Sequence, residues 1–121
     1  MSDYHESIDG LSSETMNISR ALHSLKEEIE AVNWYNQRVD ASDDPELAAI
    51  MAHNRDEEIE HACMALEWLR RNMPAWDENL RMFLFSTGDI THVEENMEGG
   101  EGSESPGRGG NSDLGIGGKR S

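Results

Sequence analysis

The sequence predicts an all-α fold: an antiparallel two-helix hairpin followed by a short C-terminal helix, dimerising with a second copy into a four-helix bundle. Three observations carry this. Apolar residues recur at three/four spacing along two long stretches. A short, proline-marked break separates them, which makes the two helices antiparallel neighbours. Ligand-type side chains interrupt both apolar stripes, and together they make up half of a two-metal site.

The totals bound the problem. A chain of 121 residues holds one small domain, and its last quarter is poor in apolar residues. The folding unit is therefore nearer ninety residues, thin for a self-sufficient core and favouring burial by association. Ten basic against 25 acidic residues give a net charge of −15, and residues 1–93 carry 19 of the acids with 7 bases. Phosphates would be repelled, so nucleic acid is excluded as a partner, while cations are drawn in. The single cysteine, Cys63, rules out an internal disulfide and fits a reducing compartment. No apolar run long enough to span a bilayer occurs, and the start M-S-D-Y-H-E has no signal-peptide blocks. The expectation is a cytoplasmic protein with no membrane partner.

Residues 1–11 read as a flexible N-terminal arm, with His5 solvated. Ser12 or Ser13 can cap the first helix, with Glu14 in its first turn. From about residue 14 to 39, Ile18, Leu22, Leu25, Ile29, Val32, Tyr35 and Val39 form one stripe. D-A-S-D-D-P ends this helix, and Asp44 with Pro45 is placed to cap and open the second. That helix runs to about residue 71, on a stripe of Leu47, Met51, Asn54, Glu58, His61, Ala65 and Trp68. Pro74 opens a shorter third helix carrying Trp76, Leu80, Phe83 and Leu84, for which Gly88 is the expected stop. Residues 12–93 thus make the helical domain. Residues 94–112, rich in Gly, Ser and Glu, are a linker, about fifteen residues of which span roughly 20 Å as a coil. In residues 113–121, D-L-G-I-G-G-K-R-S, Leu114 and Ile116 alternate with glycines. The tail is either a docking peptide for a groove on another protein or a frayed terminus.

The chemistry concentrates in R-D-E-E-I-E-H, residues 55–61. Glu58 and His61 stand three apart and share a helix face as Glu-x-x-His. Glu28 sits in an apolar stripe of its own, between Leu25 and Val32. A carboxylate on the dry side of a helix is costly unless it is paired or binds a metal. Carboxylate-bridged di-iron bundles use two plain glutamates and two Glu-x-x-His pairs, and this chain supplies one of each. A second copy must bring the rest. Two carboxylates and an imidazole without thiolate favour Fe, Mn or Zn, and open oxygen-rich coordination suits iron passing from ferrous to ferric. Glu58 from each chain would bridge the metals, with Glu28 and His61 terminal.

The alternatives are a metal buffer without turnover, or a structural helical oligomer in which these groups form a buried salt bridge with Arg38 or Arg55. Glu27, Glu30, Glu57 and Glu60 read as solvated or flanking charges. Tyr35, two turns beyond Glu28, could hydrogen-bond a ligand, supply an electron or simply pack. Trp34 lies off the Glu28 stripe and suits another interface. His53 is a weak candidate for metal access, while His23 and His92 have no partner in view. There is no phosphate loop, Cys-x-x-Cys or nucleophilic triad.

E-E-I-E-A-V-N-W-Y (27–35), H-N-R-D-E-E-I-E-H (53–61) and L-E-W-L-R-R (66–71) closely resemble the encapsulated ferritins, ferroxidases packed inside encapsulin shells. The resemblance covers most of residues 12–90. The tail D-L-G-I-G resembles the encapsulin cargo-loading peptide, with Gly118 where that peptide usually has leucine. The resemblance implies a ferritin-like four-helix bundle made by an antiparallel dimer, dimers assembling into an annular decamer, and Fe(II) oxidation by dioxygen at a di-iron centre. Carried over residue by residue, it puts the ferroxidase ligands on Glu28, Glu58 and His61 with Tyr35 beside them. Its accessory metal contacts fall on Glu27 and Glu30, near Trp34. It also implies iron storage in the shell and docking to the encapsulin shell protein through Leu114, Gly115, Ile116 and Gly117. The protein would then work in the cytoplasm, inside an encapsulin nanocompartment.

Overall fold

A computed structural model describes residues 4–94. Three α-helices follow one another: α1 (Ser13–Ala41), α2 (Pro45–Asn72) and α3 (Pro74–Phe83). Short 3-10 turns occur at Ile8–Gly10 and Ile90–His92, and no strand occurs among the described residues. The first turn falls within the expected loose arm, held by the Gly10 N–H donating to the Ser7 carbonyl and the Leu11 N–H to that of Ile8.

Each long helix starts where its sequence supplies a cap. Ser12 is extended, and its Oγ accepts the Thr15 N–H at 3.0 Å. Asp44 accepts the N–H groups of Glu46 at 2.9 Å and Leu47 at 3.3 Å, and Pro45 occupies the position where a missing N–H costs nothing. Such a cap contributes about 1 kcal/mol. With only residues 42–44 between them, α1 and α2 fold back on each other as an antiparallel hairpin. A strap crosses it: Arg55 Nη1 donates to Asn36 Oδ1 at 3.0 Å, while Arg55 Nε donates to Asp56.

The end of α2 is fixed by charge. Arg70 donates two bonds to the Glu67 carboxylate, at 2.8 and 2.9 Å, and Arg71 a third at 2.7 Å. Arg70 also pairs with Asp77 in the first turn of α3. Two guanidiniums hold the Glu67 carboxyl down at about 2, Arg70 contributing most.

Residues up to Asp77 form one compact unit and those from Glu78 a second. In the second, α3 ends at Phe83, five residues before Gly88, which was the expected stop. The physical reason is local: the backbone turns left-handed at Phe85, and the Phe83 carbonyl accepts the Ser86 N–H at 3.3 Å and the Ser86 hydroxyl at 2.7 Å in place of a helical bond. Phe85 takes the left-handed conformation (φ 61°) and is fully exposed, while Gly88 (φ 83°) serves the turn that follows.

The hairpin has almost no interior. Leu69 is its one fully buried residue among those described, and α1 buries none. Ile29 (56% exposed), Trp34, Ile50, Ile59 and Met64 (59%) present large apolar surface. Two helices can cover only one stripe of each other, and the apolar arcs read from the sequence are wider than that stripe.

Candidate metal centre

Three side chains converge midway along the hairpin. Glu58 and His61, one turn apart on α2, face Glu28 on α1. His61 Nδ1 lies 3.5 Å from Glu28 Oε1 and 3.5 Å from Glu58 Oε1. One ligand atom from each residue falls within 4.8 Å of the other two, and no other such group of three occurs among the described residues. Cations with bonds of about 2.1 Å space neighbouring ligands at about 3.0–3.4 Å, so these gaps fit one ion after a small contraction.

The cluster lies open on one face of the chain. The Glu28 and Glu58 side chains are 25% and 26% exposed, and that of His61 is 43% exposed. The sequence places Glu28 on a dry face; within one chain that face is only half covered, because two helices leave one side of the stripe unpartnered.

Crowding shows in the proton affinities. Glu28 is held above the ordinary carboxyl range, first by a hydrogen bond shared with Glu58, then by partial burial and repulsion from Glu58. His61 feels desolvation pulling its affinity down. The hydrogen bond to Glu58 and the charges of Glu28 and Glu58 outweigh this, so it too ends above its ordinary value. A cation at this cluster would compete with protons for Glu28 and His61, and metal binding at such a cluster releases protons.

The other named residues stand apart. Glu27 Oε2 pairs with His23 Nε2 at 2.9 Å, Glu30 is exposed, and neither joins the three. Tyr35, half-buried, lies seven residues from Glu28, about 10 Å along the helix axis. Arg38 stacks on its ring. Trp34 lines a shallow depression with Gln37, Arg38 and Ala41. His53 approaches Glu57 at 3.8 Å, and Glu60 is exposed. Among the described residues neither Arg38 nor Arg55 pairs with Glu28 or Glu58, so the buried-salt-bridge alternative lacks its expected partners.

Two histidines read as partnerless have partners: His23 has Glu27, and His92 Nδ1 lies 3.0 Å from Asp89. Their i,i+4 and i,i+3 spacings carried that signal. The Arg55–Asn36 strap had none, because it joins residues on different helices.

A helical hairpin bearing a plain glutamate and a Glu-x-x-His pair on facing helices defines a ferritin-like protein. The profile of the EncFtn-like family matches residues 3–87, and the chain belongs to that family. An encapsulated ferritin-like protein of Rhodospirillum rubrum is 61% identical over 99 residues, which are 82% of this chain and 71% of that protein. An encapsulin nanocompartment cargo protein of Myxococcus xanthus is 30% identical over 84 residues, 66% of this chain and 65% of that one. A Nitrosomonas europaea protein of known crystal structure superposes with a TM-score of 0.71 at 56% identity, covering 74% of this chain and 98% of its own. No helix among the described residues is long and apolar enough to cross a membrane.

Proposed function

We propose that this protein is a ferroxidase: it oxidises Fe(II) to Fe(III) with dioxygen at a di-iron site formed between two copies of the chain. The observation that carries this is the convergence of Glu28, Glu58 and His61 within 4.8 Å. One such set suffices for a single ion, and the same set from a second copy supplies the other half of a two-metal site. The open face around the cluster and the exposed apolar residues beside it support a partner there.

In this reading iron is the substrate. Glu28 and Glu58 bring negative charge that favours the ferric product over the ferrous reactant, and the half-buried setting strengthens that preference. His61 supplies a neutral nitrogen once its proton has left. Each Fe(II) gives one electron, and dioxygen accepts them. Tyr35 would act on the site from two turns along α1, and Glu27 and Glu30 would serve as accessory metal contacts. Dimers assemble into an annular decamer, which encloses no mineral cavity of its own.

The relatives' names, an encapsulated ferritin-like protein and an encapsulin cargo protein, support delivery into a cytoplasmic encapsulin nanocompartment, where the iron is stored. Residues 94–112 act as linker, and residues 113–121 dock on the shell through Leu114, Gly115, Ile116 and Gly117. All but residue 94 of these lie outside the described residues.

Ferrous iron added in air tests the reading. The expected result is catalysed oxygen consumption and ferric absorbance, lost in Glu58→Ala and in His61→Ala with helical content retained. Binding without oxygen consumption would make the protein a buffer, and unimpaired turnover in either variant would remove this site. Deleting residues 113–121 should abolish co-purification with the shell protein and leave oxidation intact; continued co-purification would put docking elsewhere.

A further inference from the structure

Phe85 holds the left-handed conformation just past the end of α3, and its side chain is fully exposed. Helices commonly end on a left-handed residue, and glycine takes that position because it has no Cβ to clash. A bulky aromatic there costs backbone energy, and the ring gains no contact with its own chain to offset it. Strain of this kind gathers at functional positions. Leu84, half-exposed beside Phe85, widens the same apolar projection.

The chain also carries a recess that such a knob fits. On α2, Met64 and Trp68 line a shallow depression of about 410 Å³ together with Glu60, Cys63, Glu67 and Arg71. A cavity of about 150 Å³ already holds a benzene ring, so the Phe85 side chain enters with room for Leu84. Met64 and Trp68 are both exposed in the single chain. Methionine adapts its shape to an inserted ring and gains from sulfur–aromatic contact, while tryptophan offers a face or an edge. An apolar centre ringed by charged groups is the usual anatomy of a protein contact. A second copy of this chain is the occupant that the burial calls for. Leu69 is the hairpin's one fully buried residue among those described, so apolar area has to be covered from outside.

We propose that Phe85 of one copy inserts between Met64 and Trp68 of a second copy. The two-metal seam proposed above is symmetric, each copy giving it the same residues. This contact is not, because knob and recess are different parts of the chain. A head-to-tail contact repeats from copy to copy until it closes a ring. The proposal rests on the assembly reading above and names a contact that joins one dimer to the next.

Metal-free, full-length protein tests it, followed by sedimentation velocity and native mass spectrometry across a hundredfold dilution series. Phe85→Gly removes the ring and suits the backbone better. Helical content should therefore hold while self-association weakens about tenfold or more. Met64→Asp puts a charge in the recess and should match Phe85→Gly. Mixing the two variants is the decisive arm. One supplies an intact recess and the other an intact knob, so larger species should return that neither forms alone. A monomeric parent, unchanged assembly in either variant, or a mixture that restores nothing would each overturn the inference. Oxygen consumption after Fe(II) addition is read separately. A parent that oxidises no iron sinks the ferroxidase reading and leaves the assembly result to stand by itself. A parent that oxidises iron, with Phe85→Gly assembling as the parent does, sinks this contact alone.

Discussion

Glu28 Oε1 on α1 and His61 Nδ1 on α2 stand 3.5 Å apart, so two helices meet through groups of the kinds that can take up either a metal or a proton. Glu58 lies at the same distance from the same nitrogen. Cation binding at this point should therefore stabilise the hairpin. Anaerobic Fe(II) at a hundred times its dissociation constant is expected to add about 2.7 kcal/mol to unfolding. Thermal melts with and without metal check this, and Glu58→Ala should erase most of the shift. A shift that survives in that variant would place the ion elsewhere.

The acid limb of stability should report Glu67. Its carboxyl is held at about 2 in the folded chain, against an ordinary 4.5. A group lowered on folding contributes stability that is complete above its unfolded value and lost as pH falls toward its folded one. Stability should therefore drop between pH 4.5 and 2, and the drop should be shallower in Glu67→Gln. Denaturant titrations across this range read it directly; parallel curves for the two proteins would refute the assignment.

The Arg55–Asn36 bond ties α2 to α1 outside the Glu28, Glu58 and His61 cluster. Cutting it with Asn36→Ala should cost about 1 kcal/mol, the usual net worth of such a bond. A double-mutant cycle with Arg55→Ala isolates the coupling between the two. A coupling near zero would show that the bond is replaced by water without loss.

Asp44→Ala should destabilise by about 1 kcal/mol, since two backbone N–H groups at the start of α2 lose their acceptor. Asp44→Asn should recover most of it. Urea unfolding of the three proteins makes the comparison.

Burial this sparse predicts that the unfolding midpoint rises with protein concentration. Melts across a hundredfold dilution series check it. A midpoint that does not move would mean the hairpin is stable alone, against the expectation from its exposed Ile29, Ile59 and Met64.

What could be read from the sequence was what depends on near neighbours. Ser12, Asp44 and Pro45 announce helix starts through local chemistry, and the two apolar stripes fix helix type over many turns. Glu58 and His61 reveal themselves by a spacing of three. Glu28 was legible only because it breaks an apolar stripe. What failed has the same explanation in reverse. Gly88 is a sound stop signal by composition, but the backbone already turns left-handed at Phe85, which composition gives no reason to expect of an aromatic residue. The degree to which Glu28 is covered could not be read from periodicity, because an apolar arc says that something packs there and not how much of it one chain provides.

Leu69, alone among the hairpin's described residues in being sealed from water, changes what selection can act on. In most domains the requirement for a large apolar side chain is enforced from within, by neighbours that leave a void when it shrinks. Ile29 and Met64 have few such neighbours in their own chain. Any selection for an apolar side chain there would have to act from outside the chain, so drift at these positions would be tolerated by the isolated polypeptide and punished only in company.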